Sequence, residues 1–339
     1  MQKSRPARPR LNLALQGGGA HGAFTWGVLD RLLDEEEIEF GSISGTSAGA
    51  LNGAALATGL TRGGRAGAKK SLAALWQEVV KAGALMSLLH VPLKKPGMGV
   101  WDDAMPLLSP YQTNPLSLEP LRYVLSSVVD VEVLKSPGAH PLHVNAVNVN
   151  TGRSRVFGPD EMSIEALLAS ACAPLMFQAV QIEGESYWDG SYAGNPMLWP
   201  LYDGESDVDI FMIELTPQKR TETPTTAKNI LNRINEIASI NGLVSEMRAL
   251  DLANRSAGRE AARLHVLSLP ESDIKGQVEP STKRTVGPIL FETLRRRGFG
   301  ACSDWLAINR DALGKRSTVD IAGRYLAPYR QGRSTILAT

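Results

Sequence analysis

Cysteine is almost absent: Cys172 and Cys302 are the two in 339 residues. So few, so far apart, exclude a disulfide framework or a cysteine zinc site. They fit a reducing compartment without requiring one. Charge of one sign is also lacking. The formal net charge is +1, so no whole-molecule field favours nucleic acid or acidic substrates. No stretch approaches the ~18 consecutive apolar residues of a membrane span. The first ten residues are basic, but the apolar run after them, Leu11 to Leu15, is too short for the core of a secretory leader. They read as a disordered solvated tail; the alternative, a weak anchor on anionic membrane, needs more charge than four basic residues supply. Internal repeats and low-complexity segments are missing too. What remains is an ordinary globular composition, 43% apolar and 21% charged, with length for one large α/β domain or two small ones.

The first fifty residues carry a repeated pattern. Leu11–Gln16 is a short apolar run ending in three glycines, and Ala23–Leu33 places Phe24, Val28, Leu29 and Leu32 at helical spacing. Glu39–Ser44 reads as a second strand stopped by Gly45, and Ala48–Leu60 as a helix with Gly59 as its stop. Strand, glycine turn and helix, twice over, predict α/β architecture. A helix follows over Lys69–Val80. Residues 84–120 are apolar and irregular, the composition of a lid or channel wall, or of a loop packed on the core.

Further on, His143–Asn150 and Arg153–Phe157 alternate like a hairpin turning at Thr151-Gly152. Ser163–Ala171 reads as a helix. Ala179–Glu183 and Ser186–Trp188 read as short strands around Gly184, and Asp209–Leu215 and Leu264–Leu269 as buried strands. Between the last two lies a long helical stretch, 227–263. Its apolar stripe, Ile230, Ile234, Ile237, Leu243, Val244, Met247 and Leu250, is expected in the core, with a membrane-facing surface as the alternative.

Two glycine motifs carry chemistry. Gly45-Thr46-Ser47-Ala48-Gly49 is a G-x-S-x-G pentapeptide between a predicted strand and helix. A serine on so sharp a turn has its hydroxyl pushed out of the sheet, and glycine leaves room for the tight backbone on either side. The bland alternative is a turn with an exposed serine. Gly17-Gly18-Gly19-Ala20-His21-Gly22 follows the first strand and opens a helix, and bare backbone amides there form an anion-binding concavity. The same glycines fit a dinucleotide fingerprint, but that unit should end on an acidic residue after the second strand, where this chain has Gly45-Thr46-Ser47. An oxyanion cradle for acyl transfer accounts for both motifs together.

A nucleophilic serine needs a base. None of His21, His90, His140, His143 and His265 stands late in the chain where a Ser-Asp-His order would put it, and His265, at a strand start, reads as structural. The carboxylate in the best context is Asp189, after Ser186-Tyr187-Trp188 and before Gly190; an ordinary turn is the alternative there.

Together these segments resemble the patatin-like phospholipases, bacterial members included. Gly17–Gly22 is similar to the family's glycine loop, Gly45–Gly49 to its nucleophile elbow, Asp189-Gly190-Ser191 with Gly194-Asn195-Pro196 to its aspartate signature, and Ala169–Pro174 to the segment preceding that aspartate. The resemblance spans about residues 11–215; beyond it, Asn235-Glu236-Ile237 and Ser317-Thr318-Val319-Asp320 look similar to bacterial members more loosely. It implies a three-layer α/β/α sandwich with a mostly parallel central sheet plus C-terminal helices. It also implies a Ser-Asp dyad with Ser47 as nucleophile and Asp189 as proton acceptor, an oxyanion hole from Gly17, Gly18, Gly19 and Gly22, and Gly45 and Gly49 shaping the elbow. Neither metal nor cofactor is implied. Two positions depart from the pattern: His21 stands where the family often has a basic Arg or Lys, and Ser191 where it has Gly or Ala.

The resulting expectation is a serine hydrolase of carboxylic esters in phospholipids or other acyl lipids. A transacylase or polyhydroxyalkanoate hydrolase with the same dyad, and a non-catalytic lipid-binding protein, are the alternatives. The expected plan is a basic tail over 1–10, a catalytic core over 11–215, a helical extension over 216–325 packed on it, and a tail over 326–339. Leu85, Met86, Leu88, Leu89, Met98, Trp101 and Met105 are expected to house the acyl chain. The expected location is cytoplasmic, with peripheral contact to a membrane and no nucleic-acid partner.

Overall fold

The computed structural model describes residues 8–89, 109–114, 116–205, 207–220, 223–256, 262–270 and 286–327. β1 (Arg10–Leu15) is buried along almost its whole length, as a central parallel strand must be. Leu11, Leu13 and Leu15 point into one apolar layer, and Ala14 into the other. Asn12 lies on the second side, where its amide donates to the Leu201 carbonyl at 2.7 Å and its oxygen accepts from the Ser42 amide at 2.9 Å.

β1 is the centre of an eight-stranded sheet. β2 (Glu39–Gly45) and then β3 (Leu142–Asn148) lie to one side of it, and β7 (Val208–Glu214) and then β8 (Ala262–Ser268) to the other, all five parallel. β4 (Ser154–Phe157), β5 (Val180–Ile182) and β6 (Glu185–Asp189) add an antiparallel margin, β4 and β6 on β3 and β5 on β6. Strand order reverses at β1, which creates a crevice beyond the carboxyl ends of β1, β2 and β7, the usual place for a ligand in an open α/β sheet.

Helices cover both faces. α1 (Gly22–Leu32), α2 (Ala48–Leu89), α3 (Glu119–Val128) and α6 (Pro288–Asn309) close the larger core. α5 (Ala227–Ser256) and the turn Ala322–Leu326 close the other face, where Ile210, Met212 and Leu264 meet Leu243, Met247, Leu250 and Tyr325. The layers are therefore α/β/α. α4 (Ile164–Ser170), capped by the Ser163 hydroxyl on the Ala166 amide, packs near β3 and β6.

Two sequence expectations change. Gly59 does not stop the first arm of α2, which ends a few residues later at Gly63-Gly64, where the backbone leaves helical angles, and a second helical arm then runs to Leu89. A Cβ on Gly59 would lie 2.5 Å from the Cα of Ala68, so its bare Cα serves the contact between the two arms. The stripe on α5 splits: Leu243, Met247 and Leu250 are buried, but Ile230, Ile234 and Ile237 are 42%, 54% and 43% exposed. Three to four residues per turn put those isoleucines on the side of α5 opposite the residues that face the sheet. The buried strand expected at Leu264–Leu269 is present as β8, in register with β7 from Val208–Ala262 to Glu214–Ser268.

His265 lies inside β8, fully buried, with Nε2 2.6 Å from Asp209. Arg263 grips the same carboxylate through Nε and Nη2 at 3.0 and 2.9 Å, and the Gly314 amide donates to both its oxygens at 3.1 Å. This network sits at the amino end of β7, away from the crevice, and ties the 314–318 segment to the sheet.

Candidate active site

β2 runs straight into the elbow. Ser47 has φ +52°, a left-handed conformation that a serine adopts only where the surroundings enforce it. The enforcement is steric. A Cβ on Gly49 would lie 2.1 Å from the Leu15 carbonyl oxygen, and one on Gly45 would lie 2.7 Å from the Ala50 backbone. Glycine at 45 and 49 thus lets β1, β2 and the first turn of α2 close together. The Ser47 amide donates to Ser170 Oγ at 2.9 Å, and α2 begins at Ala48, so its amino-terminal end points at the serine.

Sheet register brings Asp189 to Ser47. Gly45 is level with Val144 across β2–β3, and Ala146, two residues further along β3, is level with Asp189 on β6. Ser47 lies two residues beyond Gly45, so serine and aspartate stand at the same height. The buried Asp189 carboxylate accepts from the Ser191 amide at 2.9 Å, lines one cavity with Ser47, and has the Ser47 and Ser191 hydroxyls near enough to favour its charged form. Burial pushes the Asp189 pKa above the ordinary carboxylate range, and these groups only partly oppose it.

The glycine loop divides its labour. Gly17 donates its amide to Asn195 Oδ1 at 2.6 Å. Gly22 turns its amide back to the carbonyls of Gly19 and Ala20, and a Cβ on it would lie 2.7 Å from Ala48 Cβ, so it serves helix packing. Of the four glycines expected to form an anion cradle, Gly18 and Gly19 remain with amides that have no partner among the described residues. Both line the cavity at Ser47. His21, in the turn that follows, is buried.

Gln16 and Asn145, which the sequence did not single out, lock the loops together with Asn195 of the Gly194-Asn195-Pro196 signature. Gln16 donates to the Asn195 carbonyl at 3.0 Å and accepts from the amides of Leu215 and Thr216 at 2.7 and 3.0 Å. Asn145 donates to the Gly190 and Gly194 carbonyls at 3.1 and 2.8 Å and accepts from the Thr46 hydroxyl. Asn195 donates to Ser239 Oγ at 2.9 Å and precedes a cis peptide to Pro196. All are single polar residues in otherwise apolar runs, a faint signal without their partners.

Two cavities meet at Ser47. The first, about 250 Å³, reaches from Gly17–Gly19 and Asp189 to Ser191, Thr216, Asn232 and Asn235. The second, about 210 Å³, is apolar and is walled by Leu51, Leu75, Trp76, Val79, Leu121 and Phe291. Gly19, Ser47, Ala171 and Met176 border both. The side chains of Leu85, Met86, Leu88, Leu89, Met98, Trp101 and Met105, expected at an acyl chain, lie outside the described residues, as do most of both terminal tails.

Fold and site together define an α/β protein with a serine on a strained strand–helix elbow, a buried carboxylate against it, and two bare glycine amides beside both. The sequence model of one family, Patatin-like phospholipase, matches residues 13–202, more than half of the chain and including both Ser47 and Asp189. The chain belongs to the patatin-like phospholipase family. No curated protein matches it. Among solved structures it is similar to VipD from Legionella pneumophila, at 14% identity and a TM-score of 0.42, covering 99% of this chain and 76% of that one. It is also similar to the heterodimeric ExoU–SpcU complex from the type III secretion system of Pseudomonas aeruginosa, at 16% identity and a TM-score of 0.38, covering 98% of this chain and 60% of that one. The chain thus spans less than two thirds of the latter. Among the described residues, no helix is long and apolar enough to cross a membrane.

Proposed function

We propose that this protein hydrolyses carboxylic esters of acyl lipids through an acyl-enzyme on Ser47, with Asp189 as the base. The observation that carries the reading is the meeting of Ser47, on its strained elbow, with a buried carboxylate whose pKa is raised, in one cavity with two amides that have no partner among the described residues. An exposed aspartate is a poor base at neutral pH, and burial brings Asp189 closer to the pH at which it must work.

Ser47 Oγ attacks the acyl carbonyl while its proton passes to Asp189. The carbonyl oxygen becomes an oxyanion held by the Gly18 and Gly19 amides, each worth about 3 kcal/mol by analogy with other oxyanion donors. Collapse breaks the ester bond, and the departing alkoxide takes the proton from Asp189. A water then attacks the acyl-serine, gives its proton to Asp189, and releases the fatty acid as Ser47 recovers a proton. The apolar cavity takes the acyl chain and the polar one the alcohol, because burying each against its own kind avoids an unpaired polar group. A lipid substrate also implies peripheral contact with a membrane surface.

The test is covalent labelling with a fluorophosphonate. Wild type should label at one site and Ser47→Ala should not, while Asp189→Asn should stay folded and lose turnover on a soluble short-chain ester. Labelling that survives Ser47→Ala would place the nucleophile elsewhere.

A further inference from the structure

The catalytic serine and aspartate come from the span shared with the family, but the far wall of the polar cavity does not. Thr216, Asn232, Asn235, Glu236 and Ser239 all follow residue 202. Four of them lie on α5 at positions i, i+3, i+4 and i+7, which places them along one face of the helix. Recognition on this side of Ser47 is therefore written in the chain's own second half.

The charge of that wall is distinctive. The charged residues lining the polar cavity are Asp189 and Glu236, and no lysine or arginine lines it among the described residues. Glu236 is buried and already spoken for: Arg220 clasps it through Nε and Nη2 at 2.8 and 2.6 Å, and Arg233 donates to it at 3.2 Å. Both guanidiniums are thus turned onto a carboxylate. An anionic phosphate in the cavity would face Asp189 with no cation among the described lining residues to receive it, an unfavourable arrangement in a partly dehydrated space.

The cavity does offer carboxamides. Asn232 and Asn235 are half-buried, one helical turn apart, and neither side chain has a hydrogen-bond partner among the described residues. Each presents two N–H donors and an acceptor oxygen. Ser191 lines the same cavity, its amide on the Asp189 carboxylate. Neutral groups that both donate and accept, in a chamber with no cation among the described residues, match hydroxyls rather than a phosphate.

Resting on the ester-hydrolase reading above, we infer that Asn232 and Asn235 form a subsite for the leaving alcohol, and that this alcohol is uncharged and hydroxyl-rich, a glycerol or sugar moiety.

Binding can be measured without turnover, on Ser47→Ala. Calorimetry would compare 1-O-octylglycerol, an alkyl glycoside of the same chain length, and octyl phosphate, each below its critical micelle concentration. Octylglycerol or the glycoside, or both, should bind at least about tenfold tighter than octyl phosphate. Adding Asn232→Ala with Asn235→Ala should cost about tenfold on the polyol ligand, as expected for two lost neutral hydrogen bonds, and leave octyl phosphate within twofold. A difference between glycerol and glycoside would say which of the two the subsite fits. Octyl phosphate binding as tightly as or tighter than the polyols would overturn the inference and turn attention to Arg220 and Arg233. So would a double variant, folded by circular dichroism, that binds the polyols as well as its parent. Failure of the hydrolase reading shows separately, as wild type that neither labels at Ser47 nor turns over a soluble ester.

Discussion

The backbone amide of Ser47 donates to the hydroxyl oxygen of Ser170, 123 positions away, at 2.9 Å. Ser170 is fully buried at the end of α4, and the bond holds the one residue whose φ of +52° the elbow must maintain. Ser170 is thus a positioning residue, acting through the nucleophile's backbone. Ser170→Ala should lower kcat on a soluble ester about tenfold with KM little changed, and Ser170→Thr, which restores an acceptor, should recover most of it. An equal fall in both variants would mean that packing rather than the hydrogen bond is responsible.

Asn145 holds three groups at once, the Thr46 hydroxyl and the carbonyls of Gly190 and Gly194. Asn145→Ala leaves them buried without their partner, so urea denaturation should show a loss of about 2–4 kcal/mol. Asn145→Asp should fare no better, because a carboxylate cannot donate to the two carbonyls.

The elbow tolerates no side chain at 49. With a Cβ only 2.1 Å from the Leu15 oxygen, Gly49→Ala must part α2 from β1 and should cost more than about 3 kcal/mol or prevent soluble expression. Gly63 has open space around it, and Gly63→Ala should stay within about 0.5 kcal/mol of wild type. Thermal melts of the two side by side make the comparison.

Asp189 sets opposite demands on stability and activity. Its folded pKa is raised, first by burial, so the folded state holds this proton at pH values where the unfolded chain has released it. Its contribution to stability is full below the ordinary carboxylate pKa and is lost as pH rises through the folded value. Asp189→Asn should therefore melt a few degrees higher than wild type at pH 7 while turning over no ester. The acid limb of wild-type kcat/KM should fall at a pH above the ordinary aspartate value. A variant that melts lower at pH 7 would contradict the burial argument.

Asp209 runs the other way. Burial pushes its pKa up, but hydrogen bonds from His265, Arg263 and the Gly314 amide outweigh it and the net shift is downward. Its stabilisation is present above the ordinary carboxylate pKa and is lost as pH falls through the lower folded value. Asp209→Asn leaves His265 against a neutral group and Arg263 with Asp207 as its remaining carboxylate, and should cost about 2–3 kcal/mol at neutral pH by chemical denaturation. Asp209 lies away from the crevice, so KM of the folded fraction should not move.

How much of this was legible in the chain follows from the range of each interaction. The glycine loop and the elbow are local: steric rules over five or six consecutive residues make a strand end, a tight turn and a helix start, and they read off Gly17–Gly22 and Gly45–Gly49 alone. Asp189 was visible as a turn aspartate within a familiar signature. Its meeting with Ser47 rests on the register of β2, β3 and β6, which no local pattern states. The division of the glycine amides was hidden for the same reason, since Gly17 is engaged by Asn195, 178 positions away. Helical period marked α5 as amphipathic but could not say which stripe is covered. Ile234 and Leu243 look alike in sequence, and their burial differs because β7 and β8 reach only one of them. The pair of unpartnered carboxamides on that helix became visible only once the fold had set them across a cavity from Ser47.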